Sequence, residues 1–165
     1  MLQLITVLII ALLIAADQLI KFVVLEQLAP VGSVCLINKV LSLTYVENTG
    51  AAFGSFGGHT GLLSIFTAAV LVVGLIYLLT GKASSRFVYV CLTAIIAGGS
   101  ANLIDRIFRG FVIDYIEPLF IKFAVFNFAD ILVTCGAILL IIRLIYDMVV
   151  QYKSDRRKKE GDTNE

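Results

Sequence analysis

Four long apolar segments constrain this chain more than any other feature of its sequence. Each approaches the roughly 20 residues that a helix needs to cross about 30 Å of hydrocarbon. Backbone polar groups must be satisfied internally in that medium, so the segments are predicted to be helices. They cover residues 2 to 25, 61 to 80, 87 to 107 and 128 to 150. The chain is therefore predicted to be an all-α integral membrane protein with four transmembrane helices.

The composition agrees with a protein that crosses a membrane several times. Hydrophobic residues make up 59% of the 165 residues and charged residues 15%, with a mean hydropathy of +0.98. A soluble domain is typically about 45–50% apolar and about 25% charged. The first segment has no basic stretch before its apolar run and no convincing cleavage site. It is therefore predicted to be a retained helix rather than a signal peptide.

Metals, cofactors and nucleic acids are not expected as partners of this chain. CxxC spacing is absent and His59 is the only histidine, so the residues for a zinc site are missing. A basic surface with interleaved aromatic residues, the usual sign of nucleic-acid binding, is also absent. The cysteines are predicted to be small apolar packing residues; they are Cys35, Cys91 and Cys135.

Lysine and arginine residues set the predicted orientation. The turn between the second and third segments and the C-terminal tail are both basic, so the positive-inside rule places them in the cytoplasm. Both termini are then cytoplasmic, and the loops at 26–59 and 108–127 are extracytoplasmic. Basic residues within those loops oppose this orientation, but the tail outweighs them. The opposing residues are Lys39, Arg109 and Lys122, and the supporting ones are Lys82, Arg86, Lys153, Arg156, Arg157, Lys158 and Lys159.

The extracytoplasmic loops are predicted to carry a small β-sheet. Residues 33–48 are rich in β-branched side chains and partly alternate, which predicts a hairpin that turns near Asn38 and Lys39. Residues 112–116 are predicted to add a short strand. Residues 1–152 should form a single domain, and the polar tail at 153–165 is predicted to be disordered. In the hairpin, one face carries Leu41, Leu43 and Tyr45, and the other carries Ser42 and Thr44.

Two carboxylates are candidates for catalysis at the predicted outer surface. Asp114 lies in the loop before the fourth segment, and Asp130, sixteen positions later, opens that segment. Two neighbouring carboxylates cannot both ionise cheaply, so such a pair holds one proton over a wide pH range. One member can activate a water while the other protonates a carbonyl oxygen, as in aspartic proteases. Residue types alone equally allow Asp130 to cap the fourth helix and Asp114 to be a solvated loop residue.

Polar residues near the same predicted surface have a functional and a structural interpretation. Asn102, Asp105 and Arg106 end the third segment on adjoining faces, as a polar floor that binds substrate or as a charge cluster that reaches water. Spacing alone favours the second interpretation. Asp17 and Lys21 are separated by one helical turn near the outer end of the first segment. They are either a salt-bridged helix end or support for the outer loop.

Three other sites are predicted to be structural on composition alone. The stretch from Asn48 through Gly50 to Gly54 is interpreted as a turn before the second segment, since glycine permits unusual backbone angles. Arg143 and Asp147, one helical turn apart, are predicted to be a paired interfacial anchor. His59 is predicted to be a surface loop residue.

Five short motifs resemble those of one known family, the bacterial lipoprotein signal peptidases (signal peptidase II). Each motif alone is weak, but five of them in the family's order on a four-segment chain of this size are highly specific. The resemblance extends from the first segment to the fourth. The motifs are Asp17-Gln18-x-x-Lys21, Asn48-x-Gly50-Ala51-Ala52-Phe53, Gly98-Gly99-x-x-Asn102-x-x-Asp105-Arg106, Gly110-x-Val112-x-Asp114-Tyr115 and Phe126-Asn127-x-Ala129-Asp130.

The resemblance implies an aspartic endopeptidase of the bacterial cytoplasmic (inner) membrane. Such an enzyme cleaves prolipoprotein signal peptides immediately before a cysteine that carries diacylglyceryl, in contact with membrane lipids. It needs no cofactor and is inhibited by globomycin. The family fold adds a small outward β-sheet, or β-cradle, and a loop over the active site, and we expect a monomer. The catalytic pair falls on Asp114 and Asp130, and the supporting and substrate-contacting positions fall on Asp17, Lys21, Asn48, Gly50, Asn102, Asp105, Arg106, Asn127 and Ala129.

Two departures from the family pattern are visible. Ala101 stands where many members have glycine, and Glu47 stands where a less acidic residue is expected. They affect the local backbone and substrate preference.

The sequence also allows two functions of other classes. A small transporter or ion channel with an extracytoplasmic carboxylate site is one alternative, although it would favour acidic residues in mid-span. A non-catalytic assembly factor that holds signal peptides is the other.

Overall fold

Four helices form the body of the protein in the computed structural model, which describes residues 2–50, 60–81 and 85–162. All four are long and apolar enough to cross a membrane, which confirms the four predicted segments. A π-helical segment, Val24–Leu28, extends the first helix. The helices are α1 (Leu2–Val23), α2 (Thr60–Leu79), α3 (Arg86–Phe108) and α4 (Phe128–Asp162).

A three-stranded antiparallel sheet lies at one end of these helices and confirms the predicted hairpin and short strand. Its strands are β1 (Ser33–Ile37), β2 (Leu41–Asn48) and β3 (Val112–Pro118), in the order β1-β2-β3. The hairpin turns through Lys39, whose φ of 61° is the left-handed conformation that tight turns use. Since β2 and β3 come from different loops, their pairing places both loops at the same end of the helices.

A β-bulge in β2 decides which side chains face the cavity beside the sheet. Leu43 pairs with Ile116 and Val46 pairs with Asp114, so β2 contains one extra residue between these two pairs. Directly paired residues project from the same face of a sheet. The bulge therefore places Asn48 on the face of Asp114, whereas strict alternation from Leu43 would place it on the opposite face.

The centre of the helix bundle is α3, which packs against the other three helices. Small residues let these helices approach closely. A side chain at Gly98 would collide with the backbone oxygen of Ala129, and one at Gly136 would lie 2.9 Å from the backbone oxygen of Cys91. Gly98 thereby holds the first turn of α4 against α3. The buried core nearby contains Ile10, Leu71, Leu78, Tyr89, Ile96 and Ala97.

Two predictions differ from the structure. Helix α4 continues to Asp162, through much of the segment at 153–165 for which disorder was predicted. That segment contains neither proline nor glycine before Gly161, and lysine, arginine and glutamate propagate a helix well. The cysteines were all predicted to pack, but only Cys91 is buried, while Cys35 and Cys135 are exposed. Residues 51–59, including His59, and Lys82 lie outside the described residues.

Candidate active site

The fold brings the two candidate carboxylates to one cavity of about 600 Å³. Asp114 projects from β3 and Asp130 from the first turn of α4, and both line the cavity wall. Asn127 connects them. Its Nδ2 donates to Asp114 Oδ1 over 2.7 Å, and its Oδ1 accepts from the backbone N–H of Asp130 over 2.9 Å. One amide thus fixes the position of the strand carboxylate relative to the helix that carries its partner.

The start of α4 is a capping box. Asp130 takes part in it, but Asp130 is not the N-cap residue. The N-cap residue is Asn127, whose side chain accepts from the N–H of Asp130. Asp130 is the third helical residue, and its Oδ2 accepts in return from the N–H of Asn127 over 3.1 Å. Asp130 can therefore help to cap the helix and still be a candidate for catalysis, since the reciprocal hydrogen bond orients its carboxylate toward the cavity.

Lys21 is the centre of a buried polar network behind the carboxylate pair. Its Nζ lies 2.8 Å from Asp17 Oδ2, 2.7 Å from Asp105 Oδ2 and 2.8 Å from Asn102 Oδ1. An ammonium only donates, so Asn102 must turn its oxygen to Lys21. Its Nδ2 is then free to donate to Asp130 Oδ1 over 2.8 Å. Lys21 therefore orients the amide that holds Asp130.

Burial decides between the two interpretations of these polar residues. Lys21, Asp17 and Asp105 are 0% exposed, and Asn102 is 6% exposed. Spacing alone favoured a charge cluster that reaches water for Asn102, Asp105 and Arg106; this is wrong for Asn102 and Asp105, whereas Arg106 is half-buried. Buried charges are costly unless paired and hydrogen-bonded, and here each one is.

The two buried aspartates of this network also connect structural elements. Asp17 Oδ1 accepts from the backbone N–H of Ala129 over 3.0 Å, which joins α1 to the first turn of α4. Asp105 Oδ2 accepts from the backbone N–H of Ile113 over 3.4 Å, at the residue before Asp114. Each carboxylate thus locates the backbone next to one member of the pair.

The stretch that begins at Asn48 is more than a turn. Asn48 Nδ2 donates to Asp114 Oδ2 over 2.9 Å, while its Oδ1 accepts from the N–H of Gly50 over 2.9 Å. Arg106 Nη2 donates to the carbonyl oxygen of Gly50 over 3.0 Å, so α3 holds this segment in place. Arg106 Nε is buried without a partner among the described residues. The last three residues of the motif that begins at Asn48, residues 51–53, lie outside the described residues.

The rest of the cavity is apolar. Beyond the polar end, its wall consists of the first residue of β3, the segment before α4 and part of the first two turns of α4. A cavity with a carboxylate pair at one end and an apolar wall suits a ligand that is largely hydrocarbon with one polar segment. Within the described ranges no three His, Cys, Asp or Glu side chains are grouped as metal ligands. The apolar wall is formed by Val112, Phe123, Ala124, Val125, Phe126, Ile131, Val133 and Cys135, and Thr134 adds one hydroxyl to it.

Burial and charge raise the pKa of Asp114 to about 6. Loss of hydration in the cavity is the larger cause, and the neighbouring Asp130 carboxylate adds to it. The amides of Asn48 and Asn127 act in the opposite direction because they donate to the ionised form. Burial likewise raises the pKa of Tyr115 to about 12, so its hydroxyl stays protonated beside the N–H of Phe128.

Sequence reasoning assigned no role to three residues beside the site, although Gln18 and Tyr115 stand in the quoted motifs. Gln18 Nε2 donates to Asp105 Oδ1 over 3.1 Å, Arg109 also contacts that oxygen, and the Tyr115 hydroxyl lies 3.2 Å from the N–H of Phe128. The spacing of Arg109, one helical turn after Asp105, was the available signal. The predicted pair of Arg143 and Asp147 is confirmed at 2.9 Å.

The helices and this site together define a multi-pass membrane protein with a carboxylate-lined, otherwise apolar cavity at one end of its bundle. Comparison with known proteins identifies its family. The family model described as signal peptidase (SPase) II matches residues 9–146. The chain belongs to the signal peptidase II family, and it is therefore a peptidase.

Individual relatives agree with this assignment. A protein named lipoprotein signal peptidase from Lactococcus lactis (strain IL1403) is 41% identical over 145 residues, which cover 88% of this chain and 96% of the relative. A protein of the same name from Clostridioides difficile (strain 630) is 43% identical over 140 residues, 85% of this chain and 94% of the relative. A bacterial membrane enzyme solved by the in meso method at 2.3 Å resolution superposes with a TM-score of 0.77 at 30% identity, covering 87% of this chain and 88% of the other.

Proposed function

We propose that the protein is a lipoprotein signal peptidase that works as an aspartic endopeptidase. It cleaves the signal peptide of diacylglyceryl-modified prolipoproteins immediately before the lipidated cysteine. The observation that carries this proposal is the cavity in which Asp114 and Asp130, connected through Asn127, meet an apolar wall. Family membership and the names of the relatives support the substrate class, and they do not favour a transporter or a channel.

The proposed reaction uses one water and one proton shared by Asp114 and Asp130. The ionised carboxylate takes a proton from the water as the water oxygen bonds to the scissile carbonyl carbon. The protonated carboxylic acid donates its proton to the carbonyl oxygen, which gives a tetrahedral diol. The C–N bond then breaks as the carboxyl that took the water's proton donates it to the nitrogen of the leaving cysteine residue. The other carboxylate takes a proton from a diol hydroxyl, so the pair again holds one proton and the new carboxyl end departs with the signal peptide.

The other residues of the site position this pair in the proposal. Asn127 and Asn48 hold Asp114, Asn102 holds Asp130, and Lys21 orients Asn102. The remaining supporting positions are Asp17 and Ala129, which join α1 to α4, Asp105, which locates β3, and Gly50 and Arg106, which join the Asn48 segment to α3.

The substrate should reach the cavity from the membrane. A signal peptide is an apolar helix, so it can enter sideways against the apolar wall formed in part by Ile131 and Cys135. The diacylglyceryl chains would stay among the membrane lipids and present the scissile bond at headgroup depth. This arrangement fits an active site at the extracytoplasmic face of the inner membrane, with both termini in the cytoplasm. We also propose that the enzyme acts as a monomer.

Lipidation of the substrate provides the direct test of this function. We expect the purified protein in lipid bilayers to cleave a diacylglyceryl-modified precursor before its cysteine and to leave the unlipidated precursor intact. Mass spectrometry of both fragments locates the cut, and globomycin should block it. Equal cleavage of both precursors would contradict the proposed substrate class, and no cleavage of either would contradict the function.

The raised pKa of Asp114 predicts the alkaline side of the pH profile. The reaction needs one proton on the pair, and Asp114 with a pKa of about 6 loses its proton as the pH rises. We therefore expect kcat/KM to fall as pH increases through about 6, within about one pH unit. Initial rates between pH 4 and pH 9 measure this limb. The Glu117→Gln variant is the control, because Glu117 lies on β3 outside the cavity and accepts from Thr44.

A further inference from the structure

We propose that Arg109 is a positioning residue for the carboxylate pair. It holds Asp105 in the orientation that locates β3, and it completes the charge balance of the buried network. Its effect on turnover rests on the proposed function, whereas its effect on the ionisation of Asp114 can be measured without any substrate.

The geometry connects the surface to the buried network through one side chain. Arg109 follows the last residue of α3, and its side chain is 27% exposed, whereas that of Asp105 is 0% exposed. Its Nη1 donates to Asp105 Oδ1 and, over 3.1 Å, to Gln18 Oε1. Gln18 in turn donates to the same Asp105 oxygen over 3.1 Å. Arg109, Gln18 and Asp105 therefore form a closed triangle between α1 and the end of α3.

This triangle fixes both oxygens of Asp105. Arg109 and Gln18 occupy Oδ1, so Oδ2 is left for Lys21 Nζ at 2.7 Å and for the N–H of Ile113 at 3.4 Å. Ile113 directly precedes Asp114. Without Arg109, Asp105 Oδ1 keeps only the neutral donor Gln18. Because charge-assisted hydrogen bonds are roughly twice as strong as neutral ones, the carboxylate is then free to rotate toward Lys21. Loss of Arg109 should therefore loosen the contact that positions the strand at Asp114.

The charges of the site balance only when Arg109 is included. Four carboxylates and three cations make up the site, so a single shared proton makes the whole cluster neutral. One proton on the pair is the state that the proposed reaction requires. Without Arg109, the cluster carries one more negative charge in that state. The carboxylates are Asp17, Asp105, Asp114 and Asp130, and the cations are Lys21, Arg106 and Arg109.

The groups around Arg109 and around Asp114 determine how strongly the Arg109 charge affects the ionisation of Asp114. Arg109 faces Asp105 on α3, Gln18 on α1 and Tyr45 on β2, whose hydroxyl donates to Glu47 over 2.9 Å. Asp114 faces other groups, namely Asp130 from α4, Lys21 from α1, Arg106 from α3 and the amides of Asn48 and Asn127. Since Arg109 and Asp114 share no direct contact here, Arg109 acts through Asp105 and through the field of the network.

Removal of the charge should change both rate and pH dependence. In Arg109→Gln we expect kcat to fall about tenfold or more, because a small misplacement of a reacting group has effects of this size. KM should change less than about twofold. The pKa of Asp114 should rise, and the pH profile should move toward alkaline pH by about half a unit, since a cation that favoured the ionised form is lost. Arg109→Lys keeps the charge, so it should keep the wild-type pH profile and recover part of kcat.

Arg143→Gln is the matched control. Arg143 pairs with Asp147 one turn away, as Arg109 pairs with Asp105, but the Arg143 pair is 36% and 39% exposed and lies along α4 away from the cavity. Its kcat and pH profile should be those of the wild type. If Arg109→Gln behaves like Arg143→Gln in both measurements, Arg109 has no positioning role.

An infrared titration separates this inference from the proposed function. The protonated-carboxyl band that disappears in Asp114→Asn reports the ionisation of Asp114 in the absence of substrate. In Arg109→Gln that band should persist to higher pH by about half a unit, and in Arg109→Lys it should titrate as in the wild type. A wild-type protein that cleaves no precursor would contradict the proposed function alone, whereas an unshifted titration in Arg109→Gln would contradict the charge-balance role.

Discussion

Asp114→Asn and Asp130→Asn are each expected to lower cleavage of a lipidated precursor by at least about a thousandfold while the protein stays folded. General acid–base catalysis by one positioned group contributes about 10²- to 10⁴-fold, and in the proposed reaction the same pair serves both directions of proton transfer. An amide can neither accept the proton of the water nor supply the proton of the carboxylic acid. Its shape nevertheless matches that of the carboxylate, so the cavity keeps its packing.

Asp147→Asn is the control for this comparison. Asp147 lies on α4 like Asp130, but it is 39% exposed and pairs with Arg143. Its substitution should leave the cleavage rate unchanged. Single-turnover rates on the lipidated precursor in bilayers give the result, and thermal unfolding in the same lipid verifies that each variant is folded. Normal turnover by either Asp114→Asn or Asp130→Asn would rule out catalysis by the carboxylate pair.

The helices were predictable because their signal is local, whereas burial was not. Asp17 with Lys21 and Arg143 with Asp147 have the same spacing and the same kind of charge in the sequence. In the structure the first pair is 0% exposed and the second is 36% and 39% exposed. The difference comes from Asp105 on α3, which gives Lys21 a second carboxylate. No window along α1 contains that information, so spacing alone could not separate a buried network from a surface anchor.

The pairing register of β2 with β3 was the other feature that the sequence did not predict. The alternation in β2 predicted the hairpin, but a bulge shifts the pairing between Leu43 and Val46 and places Asn48 beside Asp114. A bulge adds one residue without a distinctive composition. The capping box at the start of α4 was readable in principle, since Asn127 and Asp130 have its spacing. The motif resemblance supplied Asn48 and Asn127 as positions, and the hydrogen bonds supply the physical reason for them.

Lys21→Met is expected to lower the free energy of unfolding by about 3–5 kcal/mol, which is the usual effect of breaking a buried ion pair from one side. Lys21 is 0% exposed and contacts Asp17, Asp105 and Asn102. Methionine fills much of the same volume, so the loss comes mainly from charges and an amide oxygen that lose their donor. Denaturant titration in mixed micelles, with helix content as the signal, measures the change.

Arg143→Met is the matched substitution on the exposed pair. Since Asp147 is 39% exposed, water replaces the lost partner, and the expected change is no more than about 1 kcal/mol. The double variant Lys21→Met/Asp17→Asn should recover part of the loss, because Asp105 keeps Arg109 while Asp17 no longer carries an unpaired charge.

These variants separate electrostatic burial from simple packing. If packing dominated, Lys21→Met would be nearly neutral and Asp17→Asn would add to its effect rather than offset it. If the network acts as the hydrogen bonds indicate, Lys21→Met should also lower turnover, because Asn102 loses the donor that fixes its orientation toward Asp130. Equal destabilisation by Lys21→Met and Arg143→Met would mean that water reaches Lys21 in the membrane, and the buried network would then not be the element that holds the carboxylate pair.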